Sequence, residues 1–367
     1  MFCDKIRLNN IKTNWGKAGK NMKILIIHTG GTISCILKNG ILTPSADIAP
    51  SIDRMFRDVR GVKLVHKHLP PVLSENTDGK VLNKIVSSVQ KPVLSGKYEG
   101  VIVTVGSDAL AYTSAAISYA VGLSKTPCIT VCSDLPLSCA EASGKANLKA
   151  AFSVIRSKKA FGALTVYENR GGSVSVYRAS RIMQQPLYFS APVPVGESYG
   201  TVKNGELILN EKYKEAPDSF TVEKCRFSTV SPIAFWHAYP GMIYPALPLR
   251  TKAVILGAYH SGTVNTISEE TVKFAKRCRK RGINVYISGI SDGSDYESMK
   301  KYDELGFIRL PLCSSPEALL IKLWLLNSGL KKFTDERLFY PLGGDLKEMP
   351  TVKTDNGTAT KSSTEEG

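Results

Sequence analysis

The sequence predicts an α/β protein with two domains, each built around a mostly parallel sheet. Short apolar runs typical of buried strands alternate with helical segments from residue 22 onward, as they do in βαβ units. A polar, turn-rich stretch at 200–229 interrupts this alternation, which then resumes. The chain of 367 residues also has room for two domains, since one domain takes roughly 150 residues.

The predicted elements of the first domain follow one another in regular order. The first strand is KILIIH (23–28), an uninterrupted apolar run typical of a central parallel strand. Three helices and three strands then alternate, and a segment of alternating polar and apolar residues, typical of a hairpin or an edge strand, closes the domain. In chain order these segments are DGKVLNKIVSSVQKPV, YEGVIVTVG, DALAYTSAAISYAVGL, TPCITVCSD, GKANLKAAFSVIRS, FGALTVYEN and GGSVSVYRASRI.

The polar stretch contains KNGE (203–206), which predicts a tight hairpin, and we interpret the stretch as the connection between the domains. The second domain then has strands AVILGAYHSGT and INVYISGI and helices SEETVKFAKRCRKRG and SPEALLIKLWLLNSG, the last with a Ser-Pro start and a glycine end. The predicted division is a basic, flexible segment (1–21), the first domain (22–211), a linker (212–228), the second domain (229–342) and a disordered tail (343–367).

Composition excludes several classes of protein. Hydrophobic residues make up 43% of the chain and charged residues 22%, as in ordinary globular proteins. No apolar run approaches the ~20 residues of a membrane-spanning helix, and the first 22 residues lack the apolar core of a secretory signal. Eight scattered cysteines without a CxxC pair indicate neither a disulfide framework nor a zinc site. We therefore expect a cytoplasmic protein with no membrane partner, no metal and no cofactor.

The formal net charge of +16 is the unusual value. A strongly basic protein suits a nucleic-acid partner, because neutralising phosphates drives such binding. The lysines and arginines are spread along the chain, however, and the densest cluster, KRCRKR (276–281), is typical of the solvated C-terminal end of a helix. A small-molecule partner is therefore favoured over a nucleic acid.

Polar motifs follow three predicted strands of the first domain. TGGT (29–32) ends the first strand, and its two glycines permit positive φ angles and close backbone approach. SENTD (74–78) precedes a helix, and Ser107 with Asp108 ends the strand VIVTV. Loops at the carboxyl ends of parallel strands converge on one crevice. The sequence therefore predicts that these three loops form a single site.

The groups in these loops suit one kind of chemistry. Two hydroxyls, a carboxylate and free backbone N–H groups can bind a small zwitterion and attack its side-chain carbonyl. Each motif taken singly has a simpler interpretation, since Ser and Asp at a helix start are common N-caps and Gly-Gly-Thr is a common turn. Their joint occurrence favours a site.

HTGGTI, SEN and VGSDALAYTSAAIS, in this order and within two α/β domains, resemble the bacterial-type L-asparaginase family, which includes the D subunit of archaeal glutamyl-tRNA amidotransferase. The resemblance runs from about residue 22 to 340. It implies a larger N-terminal domain with a doubly wound, mostly parallel sheet and a smaller C-terminal α/β domain. It also implies a homodimer or homotetramer that hydrolyses an amino-acid side-chain amide to the acid and ammonia.

The resemblance assigns roles to individual positions. Thr32 matches the family's nucleophilic threonine, and Ser107 stands where the family has a second catalytic threonine. Asp108 matches the aspartate that holds the α-amino group of the substrate. Ser74 and Glu75 match residues that contact the α-carboxylate and the α-amino group. The implied substrate site also includes Gly31, Gly106 and Ser133.

Two positions depart from the family pattern. Gln184 aligns with the catalytic lysine, and glutamine forms hydrogen bonds but cannot carry a proton away. The stretch LKNGILTP (37–44) has no counterpart of the mobile-loop tyrosine. Lys145 is a candidate replacement for the lysine, although such a side chain is more often simply exposed.

The histidines leave two interpretations open. His66 and His68 flank a lysine and could ligate a metal, but their alternation on a strand favours the surface. His28 is expected to pack within its strand.

Three functions remain open from the sequence. The first is an asparaginase-like amidohydrolase that turns over slowly. The second is an amino-acid-binding or sensing protein without turnover, which the missing lysine and tyrosine favour. The third is a tRNA-dependent amidotransferase subunit. The resemblance implies a further N-terminal domain in such subunits, whereas only ~20 residues precede the first strand, too few for a domain.

Overall fold

The computed structural model describes residues 22–45, 48–169, 173–187, 190–289, 296–310, 314–329 and 336–348. The N-terminal segment lies outside these residues. The described part forms a large sheet of eight strands and a smaller sheet of four, with helices around both. The predicted mixed α/β class is confirmed.

The strands of the structure are β1 (Met22–Gly30), β2 (Cys35–Lys38), β3 (Ile41–Pro44), β4 (Val62–Val72), β5 (Gly100–Thr104), β6 (Cys128–Val131), β7 (Ala163–Asn169), β8 (Ser173–Arg178), β9 (Ile182–Met183), β10 (Val193–Pro194), β11 (Gly200–Lys203), β12 (Glu206–Leu209), β13 (Ile233–His237), β14 (Ala253–Gly257), β15 (Asn284–Ser288) and β16 (Phe307–Arg309). The helices are α1 (Ala49–Phe56), α2 (Gly79–Leu94), α3 (Leu110–Val121), α4 (Ser143–Ser157), α5 (Glu269–Lys280), α6 (Tyr302–Leu305), α7 (Pro316–Gly329) and α8 (Glu336–Phe339). Short 3₁₀ turns occupy Thr32–Ser34, Ser74–Asn76, Ser107–Ala109 and Glu297–Lys301.

The large sheet has the strand order β12-β11-β8-β7-β6-β5-β1-β4. Its five strands from β7 to β4 are parallel, and β8, β11 and β12 pair antiparallel. The predicted tight hairpin is present, since Asn204 and Gly205 both have positive φ, 52° and 78°. This hairpin joins β11 to β12 and extends the sheet, so our interpretation of it as part of the connection between domains is wrong.

Helices cover both faces of the large sheet. Alternate residues of β1 point to opposite faces, so Leu25 and Ile27 belong to the apolar cluster that includes α2 and α3. Ile24 and Ile26 belong to a second cluster, with α1 and α4. The uninterrupted apolar run of β1 thus reflects burial on both sides.

The smaller sheet has the order β13-β14-β15-β16, and all its pairs are parallel. Helix α7 packs against α3 of the larger unit. Ile255 of the small sheet and Leu323 of α7 belong to the same apolar cluster as the α2–α3 layer. The two units therefore share a continuous core.

The chain after α8 is part of this core. Asp345 is fully buried and accepts a hydrogen bond from Lys322 Nζ over 2.6 Å. Arg181 donates to the backbone carbonyls of Gly344 and Leu346, each over 2.6 Å. Residues 343–346, placed in the tail by their composition, thus belong to the folded unit.

Five cysteines, at 35, 128, 132, 225 and 278, are buried free thiols that act as small apolar residues. In the part of the chain that the structure describes, no helix has both the length and the apolar character needed to cross a bilayer.

Candidate active site

Three 3₁₀ turns stand at the carboxyl edge of the large sheet. The turn at Thr32 follows β1, the turn at Ser74 follows β4, and the turn at Ser107 follows β5. These three strands are adjacent and parallel, with β1 in the middle. The topology therefore places the predicted loops side by side, as the sequence indicated.

Glycines allow the three turns to touch. Gly31 has a φ of 74°, and a Cβ atom at this position would lie 2.3 Å from the Cα of Gly106. A Cβ atom on Gly106 would in turn lie 2.4 Å from Ser74 Oγ. Only glycine fits at both positions, because real Cβ atoms need at least ~3.4 Å from such neighbours. This packing brings Thr32, Ser74 and Ser107 to one place.

A polar pair joins the second and third turns. Ser74 Oγ donates to Asp108 Oδ2 over 3.3 Å and accepts from the backbone N–H of Asp108 over 3.2 Å. Asp108 and Glu75 are both exposed. Two carboxylates at the mouth of the crevice suit an ammonium group of a ligand.

The hydroxyls of Thr32 and Ser107 differ from that of Ser74. Both residues are half-buried, and neither hydroxyl has a hydrogen-bond partner among the described residues. Hydroxyls without a protein partner can meet a ligand carbonyl directly.

The structure places Gln184 directly beside the third turn. Its Nε2 donates to the carbonyl of Ser107 over 2.7 Å, and its Oε1 accepts from the N–H of Ala111 over 3.2 Å. Nε2 also lies 3.4 Å from Oε1 of Gln185. The amide is thus bonded to the backbone on both sides of Asp108 rather than to the Ser107 hydroxyl.

Ser133 and Lys145 both form hydrogen bonds with the chain around them. Ser133 is 1% exposed, and its Oγ donates to the carbonyl of Leu135 over 2.6 Å and accepts from the N–H of Gly144 over 2.9 Å. Lys145 Nζ donates to the carbonyl of Cys139 over 2.8 Å. No hydrogen bond in the described structure links either side chain to Thr32 or Ser107.

The hairpin β2–β3 follows the Thr32 turn directly. Ile36, Leu37 and Ile41 expose 49%, 63% and 68% of their surface on it. The hairpin spans the stretch in which the sequence has no tyrosine.

The three histidines of the edge strands form a stacked cluster. His28 is buried, and its Nε2 lies 2.8 Å from Nδ1 of His66, whose Nε2 lies 3.0 Å from a carboxylate oxygen of Asp53. Burial, with smaller contributions from His68 and His66, lowers the pKa of His28 to about 3. His66 is half-buried rather than at the surface. No group of three or more His, Cys, Asp or Glu side chains in the described ranges could hold a metal ion.

Sequence reasoning missed Glu317. The start of its helix was predicted, but the contact between Glu317 Oε1 and the backbone N–H of Gln184, 2.8 Å, joins residues 133 positions apart. A buried acid in an apolar helix was the available signal, because charged residues are rarely buried without a partner.

Comparison with known families assigns the unit that carries these turns. Residues 23–186 match the family described as the N-terminal domain of asparaginase. The chain carries an asparaginase-family domain. The match includes the three turns and Gln184, and it confirms the resemblance that the motifs indicated.

Solved structures agree over nearly the whole chain. The thermostable L-asparaginase from Thermococcus kodakarensis superposes with a TM-score of 0.73 at 20% identity, covering 89% of this chain and 99% of that one. L-Asparaginase I from Vibrio cholerae gives a TM-score of 0.70 at 21% identity, again over 89% and 99%. At such identities the likeness establishes the asparaginase fold, with its larger and smaller units.

Curated relatives match over shorter stretches. The D-type chain of the glutamyl-tRNA(Gln) amidotransferase from Methanosarcina barkeri is 32% identical over 111 residues, which is 28% of this chain and 25% of the relative. Its counterpart from Methanobrevibacter smithii is 30% identical over 145 residues, 39% of this chain and 32% of the relative. The matched region is thus a quarter to a third of each relative.

Proposed function

We propose that this protein is an asparaginase-like amidohydrolase that cleaves the side-chain amide of L-asparagine or a close relative. The observation that carries the proposal is the contact of the three turns through Gly31 and Gly106, which places the hydroxyls of Thr32 and Ser107 beside the Ser74–Asp108 pair. The asparaginase-family domain and fold support it independently.

The proposed reaction has two halves. Thr32 Oγ attacks the side-chain carbonyl of the substrate, backbone N–H groups of the turns stabilise the oxyanion, and ammonia leaves with a proton. Water then attacks the threonyl ester, releasing the acid and restoring the hydroxyl. Asp108 and Glu75 hold the α-ammonium group, and Ser74, with the backbone at Gly31 and Gly106, holds the α-carboxylate.

Proton transfer is the weak step of this site. Gln184 cannot accept a proton, and both ends of its amide are bonded to backbone groups. Removal of the hydroxyl proton then depends on water or another base, and general acid–base help contributes about 10²–10⁴-fold in rate. We therefore propose a slow hydrolase.

An ammonia-release assay on purified protein with L-Asn, L-Gln and D-Asn tests the proposal. Release from L-Asn or L-Gln, and none from D-Asn, is the expected result. Absence of release from all three amides contradicts a hydrolase of this kind.

A second candidate is an amino-acid-binding protein without turnover. The saturated amide of Gln184 and the absence of a tyrosine from the hairpin β2–β3 favour it. Calorimetric binding of L-Asp together with an absence of ammonia release would distinguish it from the hydrolase. The match to amidotransferase subunits adds a third arm, in which ammonia release requires tRNA and partner subunits.

The proposal includes a homodimer or homotetramer, as the asparaginase resemblance implies. Sedimentation equilibrium tests this directly, with a monomer at micromolar concentration as the contrary result.

A further inference from the structure

Helix α7 places a buried carboxylate behind the candidate active site. Glu317 is the second residue of this helix and only 6% exposed. Its Oε1 accepts a hydrogen bond from the backbone N–H of Gln184 over 2.8 Å. Its Oε2 is buried without a hydrogen-bond partner in the described structure.

Such a group is costly to keep. Burial raises the pKa of the Glu317 carboxyl, and the N–H of Gln184 only partly offsets this effect. The charged and titratable groups that face it are His237, which favours its charged form, and Tyr112, whose pKa rises to about 12 through burial and the Glu317 charge. An apolar residue would avoid the cost of desolvation, so the carboxyl is expected to have a use.

The hydrogen bonds lead from Glu317 to the active-site turn. Glu317 holds the backbone of Gln184, which directly follows β9. The amide of Gln184 then bonds to the carbonyl of Ser107 and to the N–H of Ala111, the two ends of the segment that contains Asp108. Within this described network, Glu317 is the member from the C-terminal unit.

We propose that Glu317 is a positioning residue, which orients Gln184 and through it fixes the Ser107–Asp108 turn of the active site. It links the helix of the smaller unit to the geometry of the larger unit's site. The kinetic part of this inference rests on the proposed function, whereas its structural part does not.

The test compares Glu317→Ala, Glu317→Gln, Gln184→Ala and a control, Leu325→Ala. Leu325 is a buried residue about two turns further along α7, so its truncation destabilises the helix without touching the network. Hydrogen exchange of the peptide containing Ala111 is measured in each variant, because the N–H of Ala111 is the group that Gln184 holds. Turnover of L-Asn, KM and Tm are measured in parallel.

Glu317→Ala is expected to raise exchange at Ala111 at least about tenfold and to lower kcat about 10–100-fold, since small displacements of reacting groups have effects of that size. Glu317→Gln keeps an oxygen acceptor and should restore both values to within about threefold. The double variant Glu317→Ala/Gln184→Ala should be no worse than Gln184→Ala, because both changes break one chain of contacts. Leu325→Ala should lower Tm while leaving exchange at Ala111 and kcat unchanged.

Unchanged exchange at Ala111 in Glu317→Ala overturns the inference, as does an equal increase in Leu325→Ala. Glu317→Asp, which withdraws the carboxylate by one methylene, replaces the alanine variant if that variant does not fold. A wild-type protein that neither releases ammonia nor binds L-Asp contradicts the proposed function, and the exchange result still decides the role of Glu317.

Discussion

Replacing Gly31 by alanine tests whether contact between the turns creates the site. The added Cβ would lie 2.3 Å from the Cα and 2.5 Å from the N of Gly106, both of them backbone atoms that cannot rotate away. Because carbon atoms pack at about 3.5–4.0 Å, the two turns must separate by roughly 1 Å.

Two costs add up in this variant. The φ of 74° at Gly31 disfavours alanine by about 1–2 kcal/mol, and overpacking costs about 1–3 kcal/mol. A loss of about 2–5 kcal/mol leaves most domains folded. Gly96→Ala is the matched control, because Gly96 has a φ of 64° and nothing within 4 Å of an added Cβ.

Chemical denaturation and the ammonia-release assay measure the two effects. Gly31→Ala should lose about 10²-fold in activity, as expected for a 1 Å misplacement, and about 1–3 kcal/mol more stability than Gly96→Ala. Equal stability of the two variants, with activity within threefold of wild type, would refute the proposed packing of the turns.

Three further predictions concern single groups. Asp108→Ala should weaken L-Asp binding by about 1.5–3 kcal/mol in calorimetry, the size of a hydrogen bond to a charged group, whereas unchanged affinity would remove Asp108 from the ligand site. His28 stays neutral in the folded protein because its pKa is lowered to about 3, so the unfolded chain binds the extra proton below about pH 6.5. Stability should therefore fall by about 2 kcal/mol between pH 7.5 and pH 5, and His28→Gln should lose that share of the slope; an identical slope in both proteins contradicts the assignment. Lys322→Met should destabilise by about 3–5 kcal/mol, because it leaves Asp345 charged and buried, and Lys322→Met/Asp345→Asn should recover at least half of the loss in urea titrations. A double variant no more stable than the single one would contradict this account of the pair.

The sequence predicted the parts of the fold that depend on local pattern. The apolar run of β1 and the alternation of strands and helices were sufficient for the α/β class, because each element carries its own periodicity. The adjacency of Thr32 and Ser107 followed from topology, since parallel strands present their carboxyl ends at one edge.

Contacts between distant segments could not be predicted in this way. KNGE predicted a turn, but whether the resulting hairpin joins the sheet depends on its pairing with β8. Residues 343–346 are weakly apolar, yet they are buried because Lys322 and Arg181 bind them. The position of Gln184 came from the family resemblance alone, and its link to Glu317 crosses between the two units of the fold.

Ammonia release by Thr32→Ala tests the central claim most directly. The hydroxyl of Thr32 has no hydrogen-bond partner among the described residues, so its removal should leave the Tm nearly unchanged. If Thr32 attacks the amide, release from L-Asn should fall by at least about 10³-fold, while Thr32→Ser keeps measurable turnover. Wild-type activity in folded Thr32→Ala would contradict the assignment of Thr32 as the nucleophile.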